Sequence, residues 1–420
     1  MRNWAGNYEY RAARLHEPES IEQVQDVVRS VAKLRVLGSR HSFNDIADTT
    51  GDLLSLTRLP RVFELDREAA TVTVDGGVRY GELCGPLDAA GFALHNLASL
   101  PHISVAGACA TSTHGSGDRN GSLATAVSGL ELVTADGEIR RLSRARDGGV
   151  FEGAVVALGG LGVVTTLTLD LQPAFRMRQD VYENLPLAQV VDHFDEITSS
   201  ADSVSLFTKW RERTVDQVWL KRRVTDGDTF EPPGDFFGAT RATVPKHPIP
   251  GMSPDACTQQ LGVAGPWHDR LPHFRMDHTP SAGDELQSEY QVPRGRAVDA
   301  LLAVDALRDR ISPLLQASEV RTIAADDLWM SPSFGRESVA IHFTWQPDWD
   351  AVREVLPQIE EALAPFEPRP HWGKVFLADA ATLAPRYERL PDFARLARRL
   401  DPRGAFRNDW LAAHVLGDDT

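Results

Sequence analysis

The chain has 420 residues, a formal net charge of −15, 42% hydrophobic residues and 25% charged ones. That length accommodates two domains with cores of their own, and the acidic balance argues against a nucleic-acid footprint or attraction to anionic membranes. The residues before Asn7 are too few and too polar for a signal peptide, no run reaches membrane-spanning length, and Cys84, Cys109 and Cys257 lie far apart without CxxC pairing, which predicts a cytoplasmic protein with no zinc signature.

Residues 20–33 read as a helix: Ser20 is an N-cap with Gln23 completing a capping box, and Ile21, Val24, Val27, Val28 and Val31 share one face. The apolar run Leu34 to Leu37 reads as a buried strand that stops at Gly38-Ser39. The turn then presents His41 between Arg40 and Ser42. Glycine at 38 permits close approach of a ligand to the backbone. A histidine past such a turn serves as base, metal ligand or nucleophile, or is an ordinary loop residue. Strands are expected at Leu53–Leu56, Val62–Leu65 and Thr71–Val74, the last two alternating as half-buried strands do. Tyr80–Ala90 reads as a helix ending at Gly91.

Residues 98–122 are dominated by small side chains, with Gly107, Gly115, Gly117 and Gly121 and hydroxyls at Ser104, Thr111, Ser112 and Thr113. Such a stretch either exposes N–H groups to a phosphate or packs two backbones closely. It is not a Rossmann fingerprint, because no G-x-G-x-x-G opens a helix after a first strand. Glu131–Thr134 and Glu138–Leu142 form a hairpin about Asp136-Gly137. Gly159-Gly160-Leu161-Gly162 leads into a long strand, Val163–Leu171. Composition turns rich in Pro, Trp and charge after Gln172-Pro173, so a domain boundary is placed near 172.

Further on, Ala297–Ile311 reads as an amphipathic helix, Leu315–Ile323 and Ser338–Trp345 as strands, Ala351–Leu363 and Pro391–Leu400 as helices. Two-residue spacing puts Glu319 and Arg321 on one face, and likewise His342 and Thr344. If these strands are neighbours, four polar side chains meet; otherwise Glu319 and Arg321 are a surface salt bridge. His371 and Lys374 flank Gly373, and Gly404–Asn408 is expected to turn back toward the first domain.

The pattern Arg-Val-Leu-Gly-Ser-Arg-His-Ser-Phe-Asn (35–44), the stretch Ala98–Ser116 and the block His371-Trp372-Gly373-Lys374 together resemble the vanillyl-alcohol-oxidase flavoprotein family, most of all its bacterial alditol, or xylitol, oxidases. The resemblance runs from about Asn3 to Trp410 and implies an α+β fold. An FAD-binding domain would span 1–172. A substrate domain built on a large antiparallel sheet would span 173–370, and a segment returning to the FAD domain 371–420. It implies FAD bound covalently through His41. Gly38, Ser39, Arg40, Ser42, Ser99, Ser104, Gly107, Thr111, Thr113, His114, Val164 and His371 would make the other cofactor contacts. Position 40 is Arg where many relatives carry Gly. Arg321, Lys374 and Glu319 would be catalytic. Ser99, His342, Thr344 and Gln287 would join them on the substrate.

The implied activity is oxidation of a polyol's terminal hydroxyl, with oxygen reduced to hydrogen peroxide, by a monomer with no metal, nucleic-acid or membrane partner. A sugar-lactone oxidase or dehydrogenase of the same family and a non-catalytic carbohydrate-binding protein are the alternatives. A metal hydrolase using His41, His102 and His114 lacks ligand spacing.

Overall fold

In the computed structural model, which describes residues 1–225, 227, 229–277 and 285–417, helices and antiparallel sheets are mixed along the chain. The helix Ile21–Ser30 starts where Ser20 accepts a hydrogen bond from Gln23 N. Gln23 Oε1 reaches back to Glu19 N rather than to Ser20, so the capping box closes one residue early. Val24 and Val28 are buried beneath it. The strand Leu34–Val36 lies parallel to Asp52–Leu54, which also pairs with Arg14–His16.

A five-stranded antiparallel sheet follows, in the order Phe63–Asp66, Thr71–Asp75, Val163–Asp170, Val127–Val133, Ile139–Ser143. Val72 and Val74 are fully buried in it. The expected alternation of Val62–Leu65 fails: this strand is the sheet's edge, and Phe63 is exposed. The small-residue stretch contains a six-residue helix, Val105–Ala110. Its tight packing is visible at Gly38 and Gly107, where a Cβ would come within 2.6 and 2.7 Å of Ser104 Oγ.

Residues 176–370 build a ten-stranded antiparallel sheet. Its centre runs Thr214–Val224, Ser203–Thr208, Leu315–Ile323, Ser338–Trp345, Leu286–Pro293, and Arg369–Pro370 pairs outside the last. The two strands singled out in the sequence are neighbours, with Glu319 directly opposite His342. Ala297–Ile311 is two helices, Ala297–Asp305 and Arg308–Ile311, with Leu301 and Val304 buried under the first.

The C-terminal segment returns to the N-terminal elements. Leu34 N donates to Ala405 O, and the buried Arg35 guanidinium donates to Phe406 O, Gly159 O, Leu158 O and Ile46 O. The side chain of Asn408 caps the carbonyls of Asp45, Ile46 and Asp48. Residues 418–420 of this segment lie outside the described part.

Candidate active site

A cavity of about 320 Å³ runs between the small-residue helix and the large sheet. Every residue singled out from the sequence as a cofactor or substrate contact lines it. Two independent sets of elements produce that convergence.

The first set surrounds His41. Arg40 sits at φ 63, a left-handed conformation that glycine adopts without cost. Its guanidinium lies against Arg2 O. The turn is clamped from three sides. Trp4 N donates to Arg40 O while its ring stacks on His41, with centroids 4.6 Å apart and planes 18° apart. Asn3 donates to Ser42 O. On the third side, Phe43 N donates to Gly373 O, and Asn44 Nδ2 donates to the carbonyls of Trp372 and Lys374. His41 Nδ1 is buried without a hydrogen-bond partner among the described residues, and burial lowers the imidazole to about 4. It is therefore neutral at physiological pH, with a lone pair to give. Ser39 Oγ accepts from Ser104 N, and Thr111 Oγ1 lies 3.2 Å from Thr113 Oγ1.

The second set lies on the large sheet. Glu319 and Arg321 are buried rather than solvated, which overturns the surface salt-bridge alternative. The hub is Glu289, which the sequence reading missed. Its Oε1 is 2.6 Å from His114 Nε2; its Oε2 is 2.7 Å from Lys374 Nζ, 3.1 Å from an Arg321 amino group and 3.3 Å from His342 Nδ1. Burial pushes the Glu289 carboxyl up, but Lys374, His114 and His342 outweigh it and hold the group well below the carboxylate range. Glu289 follows Gln287 by two residues on the same strand face, so the alternation that exposed the 319/321 pair would have exposed it also.

Lys374 Nζ also lies 2.9 Å from His342 Nδ1, and His342 Nε2 is 2.9 Å from Thr344 Oγ1. Burial lowers both Lys374 and His342, the latter to about 4. Arg321 reaches Ser99 Oγ at 3.4 Å, and its Nε stands 3.5 Å from Glu319 Oε2, an ion-pair distance at which it makes no hydrogen bond. Gln287 pairs with Glu285 and stands opposite Thr344. His371 N donates to Glu289 O, and burial holds its imidazole well below its ordinary range. His102 bonds Met276 O, and His114 bonds Glu289. Among the described residues no group of three His, Cys, Asp or Glu could hold a metal ion.

Comparison with known proteins decides the family. A model described as an FAD binding domain matches residues 12–143, and one described as D-arabinono-1,4-lactone oxidase matches 283–414. An alditol oxidase from Streptomyces sp. is 54% identical over 412 residues, covering 97% of each chain. The chain belongs to the vanillyl-alcohol-oxidase flavoprotein family. Its cofactor is FAD, and it is an oxidoreductase.

An L-gulono-1,4-lactone dehydrogenase from Mycobacterium tuberculosis, a second member, is 31% identical over 434 residues, covering 99% of this chain and 98% of that one. A xylooligosaccharide oxidase from Myceliophthora thermophila, solved with xylobiose, shares the fold at a TM-score of 0.77 and 15% identity, covering 100% of this chain and 94% of that one. The site fits FAD on its own terms. At Gly38 and Gly107 a Cβ would run into Ser104 Oγ, and a neutral His41 whose Nδ1 has no partner among the described residues lines the same cavity.

Proposed function

We propose that the protein is an FAD-dependent alditol oxidase that converts the terminal hydroxyl of a polyol such as xylitol or sorbitol to the aldose. The carrying observation is that Glu319, Arg321 and Lys374 line the same cavity as His41, with the buried Glu289 behind them pairing both cations. A carboxylate is an acceptor only, so Glu319 on that wall suits a ligand that offers hydroxyl donors. The high identity with an alditol oxidase over nearly the whole chain supports the same reading.

Residues 1–172 would hold FAD, with His41 carrying the covalent bond and Gly38, Ser39, Ser42, Ser104, Gly107, Thr111 and Thr113 lining the rest. When bound, FAD supplies the hydride acceptor and passes the electrons to oxygen, giving hydrogen peroxide. The chain's own residues do the remainder. Glu319 and Ser99 orient the polyol through its other hydroxyls. Arg321 and Lys374 stabilise the oxygen that loses its proton, a contribution of roughly 3 kcal/mol per aimed donor in a dry site. The short contact between Lys374 Nζ and His342 Nδ1 demands a lone pair on one of the two nitrogens. As Lys374 takes the hydroxyl proton it passes one of its own to the lone pair of His342 Nδ1, so it stays a cation, and Glu289 holds it in place. The acidic chain is read as a cytoplasmic monomer; among the described residues no helix is long and apolar enough to cross a membrane.

The lactone-oxidising alternative has support in the lactone oxidase model over 283–414 and in the lactone dehydrogenase relative. A peroxide assay over a panel of polyols and sugar lactones separates the two. The proposal expects peroxide from xylitol and sorbitol; turnover of lactones alone contradicts it.

A further inference from the structure

Behind Glu319 lie two buried groups that the mechanism above does not use. Lys221, on the strand Thr214–Val224, is fully buried. Its Nζ lies 2.5 Å from Leu271 O, 2.9 Å from Pro272 O and 3.1 Å from His273 Nδ1. His273 Nε2 in turn lies 2.8 Å from Glu319 Oε1. The rings of Phe207 and Trp219 pack edge-on against His273, and its backbone N–H donates to Ser99 O. The line Lys221–His273–Glu319 therefore runs from the core of the sheet to the cavity wall, where His273 and Glu319 both lie.

The donor count fixes its polarity. An ammonium has three N–H donors, and the two carbonyls and Nδ1 accept all three. His273 Nδ1 is then a lone pair, so the imidazole is neutral and carries its proton on Nε2, aimed at Glu319. We propose that Lys221 and His273 are positioning residues that hold Glu319 as an acceptor for polyol hydroxyls, Lys221 setting the His273 tautomer and His273 anchoring one carboxylate oxygen. The other oxygen stays available to substrate.

A pH signature follows from the same geometry. If Lys221 loses its proton, its remaining N–H groups stay with the carbonyls and its lone pair faces Nδ1. Nδ1 then takes the imidazole proton, and Nε2 turns a lone pair on Glu319. Burial pushes Lys221 down to about 7 and His273 to about 4. Glu319 and Cys257 act against that fall at Lys221, and Arg321 and Arg270 add to it. At Glu319 itself burial raises the carboxyl, and Arg321, His273 and His342 together hold it low. Polyol binding by the wild-type protein should thus weaken as pH rises through the Lys221 titration.

This inference rests on the alditol reading, and the test keeps the two apart. KM for xylitol and the anaerobic rate of flavin reduction at saturating xylitol are measured across about pH 6 to 9, the range where a lowered lysine titrates. The holoenzymes compared are wild type, His273→Gln and His273→Phe. Glutamine keeps an N–H donor for Glu319 that does not depend on Lys221, so KM stays close to wild type and its alkaline rise flattens. Phenylalanine removes the donor, so KM rises about tenfold, the size of one lost hydrogen bond to a charged group, while the reduction rate changes less. A spectrum and a melting curve establish that each variant is folded and flavin-loaded. If His273→Phe keeps the wild-type KM, or His273→Gln keeps the wild-type alkaline rise, the positioning role is overturned. If the wild type turns over no polyol, the functional reading itself falls.

Discussion

At the level of single residues, the site is a set of charges that tolerate burial because each is matched. Glu289 shows this best: fully enclosed, it bonds Lys374, Arg321 and His114 together. Its folded value is depressed below the ordinary 4.5. Its stabilisation is therefore complete above the unfolded carboxylate range and is lost as pH falls from there through the depressed folded value. Replacing Glu289 by Gln removes the carboxylate that pairs Lys374 and one of the two that face Arg321, and should cost about 3 kcal/mol or more. Thermal unfolding between about pH 3 and 7 checks this, with a lower melting temperature and a flatter acid limb expected for the variant. His41 makes a separate prediction. Acid-precipitated wild-type protein should retain its yellow colour, and His41→Ala should release it to the supernatant; a colourless wild-type pellet contradicts covalent attachment. The polar pairs at 319/321 and 342/344 were legible because strand alternation is a strict rule. Lys221 and His273 were not, because a lone lysine in a strand and a histidine in a loop carry no sign of whether their partners come from distant segments.

At the level of elements, the His41 turn and the His371–Lys374 block are one unit although some 330 residues separate them in sequence. Asn44 is the staple, donating to two carbonyls of that block. Asn44→Ala should lower stability by about 1–3 kcal/mol by leaving those carbonyls unpaired, and should loosen the placement of Lys374. Melting temperature and flavin content of the purified variant measure both effects; unchanged values for both would show the staple to be dispensable. The hairpin about Asp136-Gly137 and the helices near Ile21, Tyr80 and Trp349 were readable from periodicity and caps. The strands between 176 and 241 were not. Ser203–Thr208, for instance, is buried at every position, so no alternation marks it. The break in 297–311 was equally hidden, because its apolar face continues across the junction.

At the level of the whole molecule, one sheet system presents His41 and its glycine cradle, a second presents the carboxylate–cation cup, and the C-terminal strap through Ala405, Phe406 and Asn408 returns to the first. The cavity between the two is where a redox group and a polyol would meet, and the oxidation depends on that meeting. Anaerobic addition of xylitol to the purified yellow protein tests it most directly, read as loss of visible flavin absorbance in wild type and in Lys374→Met. The account predicts bleaching of the wild type and a rate at least about tenfold lower in the variant, the least expected for one lost transition-state donor. Wild-type protein that xylitol leaves yellow while a sugar lactone bleaches it, or a Lys374→Met variant that bleaches as fast as wild type, would contradict it.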